Sequence, residues 1–263
     1  MIGIMTSRSL LALAALTAFS QAAPVTSGHA TAEWISPATA IEGGRPIRTG
    51  IRLVVEEGWH TYWINPGEAG SKLKVTWTLP PGWTASEVSF PAPKRFLTGE
   101  LPGYGYEGEV IFPVTLTPPA DASIAAGLGA KVSWLTCDDS SCVPGKAELK
   151  LTLGADKGAM EKFLAQVPKP VEGAELKVTA SGGNLSLAIS LPKGSDLDLA
   201  GYEVFPVTEQ SVDHYKPFKF AKSGESWSAT AGKNEYAEGP LKELRLVLAK
   251  KGAAPIEVFW KTP

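Results

Sequence analysis

A two-residue period dominates this sequence. Leu73, Val75, Trp77 and Leu79 alternate with Lys72, Lys74, Thr76 and Thr78, the pattern of a strand with one face in a core and one in water. Similar short runs extend from Thr31 to Ser36, Ile47 to Val55, Trp59 to Ile64, Glu87 to Phe90, Glu109 to Leu116, Lys131 to Thr136 and Ala147 to Leu153. Turn residues bound each run. Glycine (27) and proline (21) together make up about 18% of the 263 residues, against about 12% in an average chain. Seven or eight short strands in about 125 residues predict an immunoglobulin-like antiparallel β-sandwich.

The period changes between Ala155 and Val167, where Met160, Phe163, Leu164 and Val167 fall at helical spacing. Pro168 and Pro170 end that segment. Strand patterns then return. Glu175 to Ala180 turns at Gly182-Gly183-Asn184 into Leu185, Leu187, Ile189 and Leu191, a hairpin signal. Tyr202 to Val207, Tyr215 to Phe220, Ser226 to Ala229, Leu244 to Leu248 and Ile256 to Trp260 follow. The expected fold is all-β, with two tandem immunoglobulin-like antiparallel β-sandwiches joined by a short helix and linker. The expected boundaries are 1–22 for a signal peptide, 23–154 for the first sandwich, 155–170 for the helix and Pro-rich linker, and 171–263 for a smaller second sandwich.

The signal peptide is read from Arg8, the apolar run Leu10 to Phe19, and the small residues of Ser20-Gln21-Ala22, with cleavage after Ala22 or Ala23. That run is far shorter than the roughly 20 residues needed to cross a bilayer. No later stretch is long and apolar enough, so the mature chain is expected to be soluble. The 25 Lys+Arg against 27 Asp+Glu leave a net charge of −2. Such a balance offers no basic field for nucleic acid and no polyacidic tail.

The chemistry to explain is the two cysteines, Cys137 and Cys142. A pair is too few for a disulfide-dense scaffold or a four-thiolate zinc site. A disulfide between them closes a short loop and stabilises by roughly 2 kcal/mol, where a bridge closing about 60 residues would give roughly 4 kcal/mol. As a brace the pair is poorly placed. It lies at the end of the Lys131 to Thr136 run, where scaffolds display function. Redox chemistry, local bracing and metal binding are all open on this evidence. Metal ligands are scarce, since the histidines are His29, His60 and His214 and the mature chain has only Met160. A site assembled in space from both cysteines and His60 is the arrangement left open. The sequence lacks a Gly-x-Ser-x-Gly elbow, a His-Glu-x-x-His pair and a Gly-rich phosphate loop, and nothing in it implies a cofactor.

An ordered set of motifs carries a resemblance. Trp59-His60-Thr61-Tyr62-Trp63, Phe90-Pro91-Ala92-Pro93, Tyr104-Gly105-Tyr106-Glu107-Gly108-Glu109-Val110, and Trp134-Leu135-Thr136-Cys137 through Cys142-Val143-Pro144-Gly145 resemble the DsbD amino-terminal domain family. The likeness covers about residues 30 to 155 and is closer in style to the ScsB-type reductases. It implies an immunoglobulin-like periplasmic domain whose cysteines, Cys137 and Cys142, exchange electrons with thioredoxin-fold proteins. It also implies an aromatic cap over the pair, placed in Lys94-Arg95-Phe96-Leu97-Thr98-Gly99 with Phe96 as the capping ring. The alternative reading makes Phe96 simply a core residue. A full transporter continues into membrane and thioredoxin-like domains, whereas this sequence ends at Pro263. A separate membrane electron donor, a soluble relay, or another role for the fold are the corresponding expectations.

Asp138 and Asp139 place negative charge beside Cys137, which raises a thiol pKa. No helix N-terminus or cation cluster opposes them. The expected behaviour is an acceptor disulfide, attacked by a partner's thiolate, with thiol:disulfide interchange activity. The rival class is a non-catalytic tandem β-sandwich that binds protein or glycan and uses the disulfide as local bracing; a copper-related accessory role is the lesser alternative. Trp59, Tyr62, Trp63, Trp83, Tyr104 and Tyr106 could line such a binding face, although rings of this kind more often fill a sandwich core.

Overall fold

The computed structural model describes residues 23–122 and 127–262; the expected signal peptide at 1–22 lies outside the described residues. Six strands open the chain: β1 (Val25–Ser27), β2 (Ala30–Ser36), β3 (Ile47–Val55), β4 (His60–Gly67), β5 (Lys74–Thr78) and β6 (Thr84–Ala85). β7 (Lys94–Thr98), β8 (Leu101–Glu107), β9 (Glu109–Thr117), β10 (Gly129–Cys137) and β11 (Cys142–Leu153) complete the first sandwich. The helix α1 (Lys157–Leu164) and the short β12 (Lys169–Pro170) lead into the second. Its strands are β13 (Glu175–Ser181), β14 (Asn184–Ser190), β15 (Glu203–Pro206), β16 (Ala221–Ser223), β17 (Ser226–Gly232), β18 (Glu243–Ala249) and β19 (Ile256–Lys261).

One layer of the first sandwich runs β6-β9-β3-β2, with β1 on β2; the other runs β11-β10-β4-β8-β7, with β5 on β10. The long strand β11 joins them. It pairs antiparallel with β10 as far as Lys150, and Leu151–Leu153 then pair parallel with β2. The second sandwich packs β12-β19-β18-β15 with β13-β14-β17-β16. Both are antiparallel apart from β2–β11 and β12–β19.

Alternation decides what lies between the layers. Trp34, Ile51, Leu53, Phe112 and Trp134 point inward and are almost wholly buried, each contributing about 1.5–3 kcal/mol or more through lost apolar surface. Some of the polar atoms taken inside are paired, while the Trp63 and Trp134 indole N–H groups have no partner among the described residues. The Trp34 indole N–H donates to Thr49 Oγ1 at 3.1 Å, and that hydroxyl donates to the Val114 carbonyl at 3.1 Å. Helix α1, N-capped by the Asp156 carboxylate on the Ala159 N–H, buries Met160 and Phe163 in this same core. Trp63, Trp83, Tyr104 and Tyr106 are buried too, as sandwich-filling rings, whereas Tyr62 is buried on the other face of its strand, against His60 and Phe96. Trp59 is half-buried, stacked on the His29 ring at 3.7 Å.

Two expected strands do not form. The run Glu87 to Phe90 is irregular, touching β9 through the Ser86 N–H to Thr115 O and the Ser89 N–H to Pro113 O. Pro113 has no N–H to return a ladder bond, and Pro91 and Pro93 follow closely. The run Tyr215 to Phe220 begins as a turn, because the Asp213 carboxylate takes the Tyr215 N–H and the Asp213 carbonyl takes the Lys216 N–H. Pro217 then interrupts it, and the strand starts at Ala221.

The sandwiches meet along β15, an edge strand of its sheet. Asn65 Nδ2 donates to the Pro206 carbonyl at 2.8 Å, and the Phe205 ring packs edge-on against Trp63 and Tyr104. His214 lies beside them, 3% exposed, its ring edge-on to Tyr104 and its Nδ1 3.3 Å from Glu68 Oε1. Neither of its ring nitrogens is hydrogen-bonded among the described residues.

Burial, assisted by the Arg95 guanidinium and opposed by Asp213, holds the His214 pKa down to about 4. Its unfolded form titrates at 6.5, so the unfolded chain takes up a proton first as pH falls. The stability that neutral His214 confers is complete above pH 6.5 and is lost as pH falls to about 4, a change of about 3 kcal/mol. Glu68 works in the opposite sense, since burial and the Asp213 and Glu235 carboxylates push its pKa up. Urea unfolding of wild type and His214→Gln at pH 7 and pH 4 isolates the histidine: the stability gap between the two proteins should shift by about that amount in favour of the variant at low pH. An unchanged gap would contradict this assignment.

Candidate functional site

The site begins with the β10–β11 hairpin. Trp134 and Gly145 stand opposite each other, and a Cβ on Gly145 would lie 2.3 Å from the indole. The glycine lets the tryptophan lie across the hairpin and leaves the register undistorted. Thr136 stands opposite Val143, and its hydroxyl shares one proton between the Gly28 and Val143 carbonyls, tying the hairpin to the β1–β2 turn. The next pair along is Cys137 opposite Cys142, joined by a disulfide across a Cα–Cα distance of 4.1 Å.

Asp138 shapes the turn between them. Its Oδ1 accepts from the Ser140 N–H at 2.8 Å, the Ser141 N–H at 2.7 Å, and both serine hydroxyls. The Ser140 amide and then the Ser141 amide bring the Asp138 pKa down to about 2, so a fixed negative charge adjoins Cys137. Asp139 is exposed at the tip, with its carbonyl near Gly99 of the β7–β8 turn.

The burial pattern of β10 reveals a cover. Val132, Trp134 and Thr136 point into the core, Lys131 and Ser133 point out, and Leu135 is half-buried. Cys137 continues the outward series yet is 0% exposed. Pairing places Cys142, Cys137, His60 and Glu107 in one row across β11, β10, β4 and β8, and directly opposed residues share a face. Phe96 of β7 lies on that face, its ring 3.9 Å from the His60 ring and 5.6 Å from the Tyr62 ring. Gly103 and Gly105 of β8 intervene and provide the room. A Cβ on Gly103 would lie 2.6 Å from the Phe96 ring, while the alternating Tyr104 and Tyr106 fill the core behind.

His60 Nε2, Tyr62 Oη and Thr98 Oγ1 form a closed hydrogen-bonded triangle with sides of 3.3, 3.0 and 3.2 Å. Burial lowers the His60 pKa from 6.5, with the carboxylates of Glu107, Asp139 and Asp138 opposing it. Burial likewise raises Tyr62. The structure therefore brings together the sequence candidates Cys137, Cys142, Asp138 and Asp139 with the Lys94–Thr98 strand that carries Phe96. It adds Tyr62 and Gly103, which sequence reasoning did not assign to the site, bonds Thr98 of the expected cap segment to His60 and Tyr62, and places His60 in register with Cys137. The signal for Gly103 was present as the Gly-Tyr-Gly-Tyr alternation of residues 103–106. Among the described residues, no group of three or more His, Cys, Asp or Glu side chains is arranged to hold a metal ion.

The model of the family described as thiol:disulfide interchange protein DsbD, N-terminal, matches residues 31–154. Residues 31–154 are a DsbD N-terminal family domain. This domain contains the disulfide, the row through His60 and the Phe96 strand. Among solved structures, the N-terminal periplasmic domain of ScsB from Proteus mirabilis matches with a TM-score of 0.63 at 20% identity, covering 89% of this chain and 94% of that one. That likeness shows a shared fold extending beyond the DsbD N-terminal domain into the second sandwich. Spo0M, a sporulation control protein from Bacillus subtilis, matches at 10% identity over 89% of this chain and 91% of that one, with a TM-score of 0.22, and carries no argument. No curated protein matches in sequence.

Because burial is the main cause of the low His60 pKa, uncovering the ring should raise it. NMR titration of the His60 ring in oxidised Phe96→Ala should give a pKa closer to 6.5 than in wild type. An identical titration in both proteins would show that Phe96 does not cover the site.

Proposed function

We propose that the protein is a periplasmic thiol:disulfide exchange protein that accepts electrons from thioredoxin-fold partners through Cys137 and Cys142. The observation that carries this reading is the asymmetry of the disulfide: Cys142 is exposed while Cys137 is fully buried on the outward face of its strand. One exposed cysteine beside one buried cysteine suits attack from one side, which a brace does not require. Family membership of residues 31–154 supports the same chemistry. Among the described residues no helix is long and apolar enough to cross a membrane.

The exchange has two steps. A partner thiolate attacks Cys142 Sγ; a Cys142–partner bond forms, the Cys137–Cys142 bond breaks, and the electron pair leaves on Cys137 as a thiolate. The partner's second thiolate then attacks its own sulfur in the mixed disulfide and releases Cys142. Two electrons enter this chain, the partner ends as a disulfide, and both cysteines take up protons from solvent. Asp138 and Asp139 disfavour a thiolate beside them, so the reduced pair stays protonated and attacks other disulfides slowly. Phe96, with His60 and Thr98 beneath it, covers the buried sulfur until a partner displaces it.

Incubation of the oxidised protein with a reduced thioredoxin-fold protein should release two thiols per chain, counted with a chromogenic thiol reagent after the partner is removed. The thiols should appear at least about tenfold faster than with the same concentration of glutathione, which lacks a docking surface. Retention of the disulfide under these conditions would favour the bracing role instead.

A further inference from the structure

Strand β7 has two faces with different duties. Its alternation puts Phe96 and Thr98 over His60 and Tyr62, on the side of the disulfide. Arg95 points the other way, toward the second sandwich. Its Nη2 donates to the Val204 carbonyl at 2.7 Å and its Nη1 to Tyr104 Oη at 3.2 Å. The guanidinium also lies over two rings, 4.9 Å from the Tyr104 centroid and 5.3 Å from that of Phe205. One side chain thereby ties β7 to its neighbour β8 and to β15 of the second sandwich.

The acceptor is suited to this role. Strand β15 pairs on one side with β18, and the chain continues that ladder through the Val207 N–H to the Arg245 carbonyl. Among the described residues its other edge lacks a partner strand. The carbonyls of Val204 and Pro206 on that edge are taken by Arg95 and Asn65 of the first sandwich. Phe205 between them is 2% exposed and belongs to the core of the first sandwich. The three residues preceding Val207 thus form a rigid ledge beneath the inner face of β7.

We infer that the second sandwich holds the cap strand closed over the disulfide, with Arg95 as the positioning residue through which it acts. This rests on the exchange reading of Cys137 and Cys142. A charged hydrogen bond and two cation–π contacts on one face of a two-residue-period strand fix the ring on its opposite face. Loosening Arg95 frees Phe96 without touching any group on the disulfide side.

Three proteins test this: wild type, Arg95→Met, which keeps the aliphatic stem and loses every donor, and Arg95→Lys, which keeps a cation over the rings but loses the forked geometry. Amide hydrogen exchange of residues 94–98 and the rate of disulfide reduction by dithiothreitol are measured on the oxidised forms. Arg95→Met should speed both by about tenfold or more, the loss of one charge-assisted hydrogen bond, with Arg95→Lys between it and wild type. Unchanged exchange in Arg95→Met would show that Arg95 does not hold the strand. Faster exchange with an unchanged reduction rate would show that the strand does not gate the disulfide, and either result overturns the inference. Should Arg95→Met fail to fold by circular dichroism, the same two measurements on Arg95→Lys decide. Failure of the exchange reading has its own signature: a reduced thioredoxin-fold protein would leave the disulfide intact in all three proteins while dithiothreitol still distinguishes them.

Discussion

The cross-strand register of the β10–β11 hairpin is the constraint on which the site depends. Trp134 opposite Gly145 and Thr136 opposite Val143 fix that register, and the following pair is then necessarily Cys137 opposite Cys142. A slip of one residue in β11 would turn Cys142 to the core face while Cys137 kept its own, and the two could no longer be bridged. The same register, passed on through β4 and β8, aligns His60 and Glu107 with the disulfide. Chemistry at this site is thus set by backbone pairing, and the short Asp138-capped turn only closes it.

Strand β8 solves two packing problems with one alternation. Its tyrosines, Tyr104 and Tyr106, fill the core, and its glycines, Gly103 and Gly105, leave the outer face bare. Phe96 reaches over that bare strip to His60. Tyr104 also presents its ring to Arg95 and its edge to Phe205 and His214, so the core residue behind the cap is also part of the joint between the sandwiches. Core and joint thus share the Tyr104 side chain.

Strands such as β5, β11 and β14 were legible from period alone because one face of each is more buried than the other. The Leu73–Leu79 alternation became β5, and the hairpin at Gly182-Gly183-Asn184 became β13–β14. The β7–β8 hairpin was missed as secondary structure. Glycine and proline interrupt the period in Leu101–Glu107, and β7 is partly exposed on both faces and shows no clean alternation. The cysteines, the aspartates and the cap segment were legible as residues. Their row with His60 was not, because pairing between distant strands leaves no local trace. Nor was the joint at β15: a backbone carbonyl taken by Arg95 has no sequence signature.

Cys142 is exposed and Cys137 buried, and in the exchange we propose the partner attacks Cys142 while Cys137 leaves. Mixing the oxidised protein with a reduced thioredoxin-fold protein whose second cysteine is replaced by serine, quenching with acid and mapping the linked peptides by mass spectrometry tests that directly. The partner should be found joined to Cys142, with Cys137 free. A partner joined to Cys137, or no adduct at all, would contradict the account.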